Sequence, residues 1–242
     1  MPAAVVLGAR HLGGVIIERL VADGWSTAGV ARNDDTLAKI VDSGALALRA
    51  NALDPDELAA TFERAREELG DIDLIVNSIS VAAPRPGEPH GGGPIGDATL
   101  DQYRHWGAQI AELAFVFLSE GARALRAGGH GGTLIQTTNV SSRRPAAGLG
   151  IWASGHHGLR ALVAAAGEEL RDEGIRVCLV RIDGPIESAK NLQRLNDEGV
   201  PLEARVDQAE IARAVAYLAG QHPRGVSYEL GITASGRPPI IL

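Results

Sequence analysis

The sequence predicts an α/β fold, a doubly wound parallel sheet of about seven strands with helices on both faces. Three observations predict it. The chain opens on a short apolar run, Val5-Val6-Leu7, that stops at Gly8 and continues at helical spacing, as a buried strand does when it turns into a helix. Short apolar runs then alternate with longer amphipathic stretches to the end of the chain, the pattern of parallel strands joined by helical crossovers. Finally, 242 residues with 45% hydrophobic content can bury one large core, so residues 1–242 are expected to form a single domain.

Each element follows from local signals. After Gly8, the residues Val15, Ile16, Leu20 and Val21 recur at helical spacing until Asp23-Gly24 ends the helix, and residues 26–30 read as a second strand. Residues 36–42 form a short helix and 45–48 a third strand. Asp54 and Pro55 then open the next helix, with proline in its first turn. Residues 73–80 are a fourth buried strand running into a polar turn, where a doubly wound sheet reverses its strand order and leaves a crevice. The Pro/Gly-rich segment 81–98 reads as a mobile flap beside that crevice. A long helix over 101–126 carries Tyr103, Trp106, Ile110, Leu113, Phe117 and Leu118 on one broad face, and residues 133–138 are a fifth strand. A helix over 152–171, a sixth strand at Ile175–Ile182, a polar excursion over 191–206, a helix at Gln208–Ala219 and a last strand over 228–233 complete the chain.

The glycine turn Gly8-Ala9-Arg10-His11-Leu12-Gly13 points to a dinucleotide site. Gly8 allows a tight turn, Gly13 leaves no Cβ above the strand end, and the free N–H groups of the following helix would face a pyrophosphate. The second strand ends at Ala31-Arg32. A guanidinium there suits a 2′-phosphate, and Arg10 is a second cation near it, so NADP(H) is favoured over NAD(H). The formal charge of −7 with scattered arginines gives no field for nucleic acid. No stretch is apolar enough to span a membrane, and the start of the chain has neither the basic residues nor the apolar core of a secretion signal, so a cytoplasmic protein is expected. The single Cys178 lies in an apolar strand and reads as a core residue. The adjacent His156-His157 pair lacks a third ligand at metal-like spacing, and no metal site is expected.

In order along the chain, Gly8 to Gly13, Ala31-Arg32, Asn51-Ala52, Asn77-Ser78-Ile79-Ser80 and Gly184-Pro185-Ile186-Glu187-Ser188 resemble the motifs of the short-chain dehydrogenase/reductase family, nearly end to end. The resemblance implies a Rossmann fold. It places Gly8, His11, Leu12 and Gly13 at the pyrophosphate, Arg32 at the 2′-phosphate with Arg10 as the second cation near it, and Asn51 and Ala52 at the adenine. Asn77 and Ser78 fall on the nicotinamide side, and Gly184, Pro185, Ile186 and Ser188 in the turn that closes over the carboxamide, with one extra residue before it. The glycine loop is one residue short, and His11 stands where the family has its middle glycine. If the shortened loop has lost binding, no dinucleotide is held.

The catalytic positions depart from the family. There a Ser after the fifth strand is followed thirteen residues later by a Tyr and four after that by a Lys, with an Asn in the preceding long helix. Counting from Gln136-Thr137-Thr138-Asn139 puts Asn139 in the Ser place, Trp152 in the Tyr place and His156 in the Lys place, with Ile110 at the Asn place. Carbonyl reduction needs a proton donor to the forming alkoxide, and an indole does not ionise usefully. His156 or His157 could serve as a displaced acid or base.

Three functions follow from the resemblance. The first is an NADP-dependent oxidoreductase for a small, largely apolar substrate with a non-standard proton relay, the apolar character resting on Trp106, Trp152, Phe115 and the flap. Reduction of an activated C=C or C=N bond could survive loss of the tyrosine. The second is an NADP-binding protein without redox activity, a sensor or a partner subunit. The third is a lyase, isomerase or cyclase using a histidine. The apolar faces of the helices over 101–126 and 152–171 predict a homodimer or homotetramer.

Overall fold

A computed structural model of the chain describes residues 1–80 and 85–238. Seven parallel strands form one sheet: β1 (Ala3–Leu7), β2 (Ser26–Ala31), β3 (Leu46–Arg49), β4 (Ile72–Asn77), β5 (Gly132–Asn139), β6 (Ile175–Ile182) and β9 (Glu229–Ile232). Their order is β3-β2-β1-β4-β5-β6-β9. The chain winds outward from β1 in one direction and then from β4 in the other, so the crevice lies above the carboxyl ends of β1 and β4.

Helices cover both faces. On one, α1 (Leu12–Ala22), α2 (Asp34–Asp42) and α8 (Gln208–Ala219) bury Ile16, Ile17, Leu20, Ile40, Ile211 and Val215 against β1, β4 and β6. On the other, α3 (Pro55–Leu69), α5 (Gln109–Gly128) and α6 (Gly150–Glu169) bury Leu58, Phe62, Leu113, Phe117 and Leu159. Strands with apolar residues on both sides, such as Ala3–Leu7 with all five buried, are what a doubly covered parallel sheet requires. The caps are as expected at α3, where Asp54 accepts the N–H groups of Asp56 and Glu57 and Pro55 stands in the first turn. Asn33 caps α2 through the Thr36 N–H. Cys178 is buried in β6, and burial pushes its thiol up to about 11.

The long helix expected over 101–126 contains a π-helical turn. A four-residue α4 (Leu100–Tyr103) passes into a π-helical turn at Arg104–Ala108 before α5 begins at Gln109. The reason is a close crossing with α6: a Cβ on Gly155 would come within 2.3 Å of the Gly107 carbonyl oxygen, and one on Gly107 within 2.9 Å of the Ile151 carbonyl oxygen. The inserted residue of a π turn re-aims its neighbours, and here Trp106 is fully buried. The broad apolar face is therefore used inside the chain. Trp106, Ile110, Leu113, Phe117 and Leu118 are buried, while Phe115, on the opposite side of α5 from Phe117, is 58% exposed.

The polar excursion over 191–206 has structure of its own, a short α7 (Leu192–Asp197) and a two-residue strand β8 (Val206–Asp207) that pairs in parallel with β7 (Ile186–Glu187). This ladder fixes the turn after β6. The segment read as a flap lies partly outside the described residues, at Val81, Ala82, Ala83 and Pro84. Its described part packs on α6, since a Cβ on Gly91 would meet Leu149 Cδ2 at 2.6 Å and Trp152 Cβ at 3.2 Å, and Gly91, Gly92 and Gly93 are buried. At the far edge, Arg143, Arg160 and Arg181 all donate to the Glu229 carboxylate at 2.6 to 3.1 Å. Against the cost of its own burial, hydrogen bonds and charge from Arg160 and Arg143 hold that carboxyl down at about 2. The network ties β9 to α6 and to the turn after β5.

Candidate functional site

The carboxyl end of β4 is built on Asn77, fully buried. Its amide Nδ2 donates to Gln136 Oε1 on β5 at 2.9 Å, and its Oδ1 accepts the Ile79 N–H at 3.1 Å. Asn77 and Gln136 are register partners, so the pair welds the central strands at the crevice. Ser78 Oγ donates to the Leu7 carbonyl at 2.8 Å, which joins this turn to the glycine loop. In that loop Gly8 has φ +84°, and a Cβ on Gly13 would fall 2.6 Å from the Gly8 carbonyl oxygen and 2.7 Å from Ser78 Oγ. Only glycine fits at either position.

Helix α1 starts from His11 without a side-chain cap, whereas α2, α3 and α8 are each capped by Asn33, Asp54 or Asp207. Its first N–H groups therefore have no capping side chain, and the positive end of the helix dipole faces the crevice. A cavity of about 130 Å³ beside it, between α1 and α2, is lined by Arg10, His11, Glu18, Lys39, Ile40 and Ser43. Burial first, then the charges of Arg10, Lys190 and Lys39, hold the His11 imidazole below its ordinary value. Arg10 and Arg32 are exposed. Arg32 stands at the carboxyl end of β2, where its carbonyl accepts from Arg49 Nη1 at 2.5 Å, and neither its guanidinium nor that of Arg10 has a partner among the described residues. Asn51 follows β3, its N–H donating to Glu57 Oε2 at 2.7 Å, and Ala52 is buried beside it. Gly184 and Pro185 form the turn after β6, Ile186 lies in β7, and Ser188 is buried.

Asn139, Trp152 and His156 come together at the end of β5. Asn139 Oδ1 accepts the Ser141 N–H at 2.8 Å, which turns its amide toward His156, where Nδ2 lies 2.9 Å from Nε2. The amide donates, so Nε2 accepts and the ring proton sits on Nδ1, facing Thr138 Oγ1 at 3.0 Å. Both ring nitrogens are thus engaged within the protein. Trp152 packs edge-on over the ring, centroids 4.6 Å apart. Burial, with a smaller contribution from His157, pushes His156 down to about 4. His157 turns away from this cluster and bonds the Ala153 carbonyl of its own helix at 2.9 Å. Ile110 is buried against Gly155. The aromatic wall is larger than the sequence implies, for Trp106 meets Trp152 at 5.8 Å, His90 meets both, and Trp106 Nε1 donates to Glu88 at 3.3 Å. Phe115 has no part in it.

Four contributors escaped sequence reasoning. Thr138 was one residue from the counted position, Gln136 carried no motif, and Lys39 and Lys190 are brought to His11 only by tertiary structure. His156 also gives a stability signature. Its folded value near 4 lies below the ordinary 6.5, so between these values the folded chain binds fewer protons than the unfolded one and stability falls as the pH drops. Across that window the loss from this group is expected to be on the order of 3 kcal/mol. Urea unfolding midpoints measured from pH 7 to pH 4 should show it, and His156→Gln should flatten the slope; an unchanged slope would refute it.

Residues 8–230 match the family model described as "Enoyl-(Acyl carrier protein) reductase". The chain belongs to the short-chain dehydrogenase/reductase family. This family member is 30% identical over 202 residues to the 1-deoxy-11-beta-hydroxypentalenate dehydrogenase of Streptomyces exfoliatus, covering 76% of this chain and 68% of that one. It is 27% identical over 240 residues, 93% of each chain, to the 3-oxoacyl-[acyl-carrier-protein] reductase of Salmonella typhimurium. Among solved structures, the blue fluorescent protein from a metagenomic library in complex with NADPH is 25% identical with a TM-score of 0.78, over 97% of each chain. No helix among the described residues is long and apolar enough to cross a membrane.

Proposed function

We propose that this short-chain dehydrogenase/reductase is an NADP(H)-dependent oxidoreductase whose reaction takes no proton from the positions that supply it in the family. One observation carries the reading: His156, which counting from β5 puts at the family's Lys position with Trp152 at its Tyr position, is clamped between Thr138 and Asn139. A neutral imidazole with both nitrogens bonded neither protonates an alkoxide nor lowers the pKa of a neighbour.

The residues at the crevice fit the dinucleotide. The uncapped start of α1 and the Gly8–Gly13 cradle, where a Cβ would collide, leave backbone N–H groups for the diphosphate, and Arg10 and Arg32 are cations open to the 2′-phosphate. Asn51 and Ala52 would line the adenine, Ser78 the nicotinamide side on the turn that the buried Asn77 fixes, and Gly184, Pro185, Ile186 and Ser188 the carboxamide. When bound, the cofactor supplies a hydride from its nicotinamide ring. The chain's own residues position the acceptor against the Trp152 wall, and the proton comes from solvent on the open side of the crevice. Substrates are small, largely apolar and already activated, such as a conjugated C=C or a C=N bond. The outward faces of α5 and α6, with Phe115 exposed on the first and Ala161, Ala164 and Ala165 exposed on the second, are read as the surface on which two copies pair.

The test compares NADPH oxidation by the purified protein with an α,β-unsaturated ketone and with its saturated counterpart. Turnover of the first with the second lower by about 10² or more, the size of a missing acid, is the expected result. Equal turnover would contradict the reading. The clamped His156 also favours a second reading, an NADP(H)-binding family member without turnover, for which binding is measured and neither substrate reacts.

A further inference from the structure

We propose that His11 is a proton-linked ligand of the dinucleotide's diphosphate: neutral in the free chain, it takes up a proton from solvent as the diphosphate arrives and donates a charge-assisted hydrogen bond to it. The inference rests on the dinucleotide reading above and goes beyond it, since a side chain here takes the place of a backbone contact. His11 stands at the N-cap of α1, where its carbonyl accepts the Gly14 and Val15 N–H groups while its side chain makes no capping hydrogen bond, and it lines the cavity shared with Arg10 and Lys39.

The charged groups around it come from four places. Arg10 lies on the same loop, Lys39 on α2, and Lys190 on the segment after β7, and all three act on the imidazole. Glu18, on α1, is the carboxylate lining the cavity. In the free chain partial burial and the three cations disfavour a fourth positive charge, and the ring is held neutral. A diphosphate carries a negative charge on each phosphate. Placed at the start of α1 it reverses the sign of the local field, so the protonated ring becomes the favoured form and joins the N–H groups of the first turn as a donor. Among the side-chain types in this cluster, an imidazole is the one whose ordinary value lies near neutrality.

Linkage fixes the sign. A group that gains a proton on binding weakens binding as the pH rises between its free and bound values, by at most about tenfold per pH unit. The 2′-phosphate of NADPH titrates near pH 6 and acts in the opposite direction, so the comparison is between two proteins with the same ligand. NADPH binding to the wild type and to His11→Asn is measured by calorimetry at pH 6, 7 and 8, in two buffers of different ionisation enthalpy. The wild type is expected to take up a fraction of a proton per site more than His11→Asn, and to lose affinity relative to it by about 3- to 10-fold from pH 6 to pH 8. A ring-proton NMR titration of His11 with and without NADP⁺ should show its midpoint rising on binding. Binding with identical proton uptake in the two proteins overturns this inference alone. No heat and no fluorescence change with NADPH at any pH overturns both it and the dinucleotide reading.

Discussion

The variant carrying Asn139→Ser, Trp152→Tyr and His156→Lys together should reduce a simple ketone with NADPH at least about 10²-fold faster than the wild type. The expectation follows from what these side chains do at the end of β5. A tyrosine at 152 would carry its hydroxyl in place of an indole that ionises at no useful pH, and a lysine at 156 would bring a permanent cation next to it, stabilising the phenolate. A serine at 139 removes the amide that now holds His156 Nε2 at 2.9 Å, so the clamp and its occupant are exchanged as one unit. A positioned general acid supplies about 10²–10⁴-fold. The three changes must be made together because they share hydrogen bonds, and single replacements would leave Thr138 or Asn139 without its partner. A folded triple variant that binds NADPH but gains no ketone reduction would show that the vacancy in the relay is not what limits the chemistry.

The second large effect lies at the other end of the crevice. Arg32→Asp is expected to weaken NADPH binding about 100-fold, near the upper end of one charge-assisted hydrogen bond with added repulsion. NADH, which lacks the 2′-phosphate, should lose less than about threefold by the same reasoning. The Arg32 side chain is exposed and makes no hydrogen bond or ion pair among the described residues, so the substitution removes no polar partner that holds the fold. Fluorescence titration of both cofactors measures the split. Parallel weakening of NADPH and NADH, or no change in either, would take Arg32 out of the site.

The strands were legible because a doubly covered parallel sheet writes itself as apolar runs. Ile175–Ile182 is read to the residue, and the other strands of the seven-stranded sheet to within one or two except β4, read about three residues long at its end, while β7 and β8 are not read as strands. The glycine turn was legible for a related reason, since Gly8 and Gly13 stand where a Cβ has no room. What the sequence hides is set by contacts between distant segments. The π turn at Arg104–Ala108 exists because Gly107 and Gly155 cross closely, and nothing local to either marks it. The pairing of β7 with β8 joins two-residue segments across a polar stretch. Around the site, counting from β5 brought Asn139, Trp152 and His156 to one place. It could not show that His156 is buried and bonded at both nitrogens, which turns a residue that titrates near neutrality into a neutral structural one. Nor could it show that the apolar face of α5 is consumed internally by Trp106 and Phe117.

The account stands on a dinucleotide held at the start of α1 with its 2′-phosphate on Arg10 and Arg32. The most direct test is a fluorescence titration of the wild-type protein with NADPH and with NADH under one condition of pH and salt. The account predicts saturable binding of NADPH with NADH weaker by tenfold or more, one charge-assisted contact being about 1.5 kcal/mol or greater. Equal affinity for the two, or binding of neither, would contradict it.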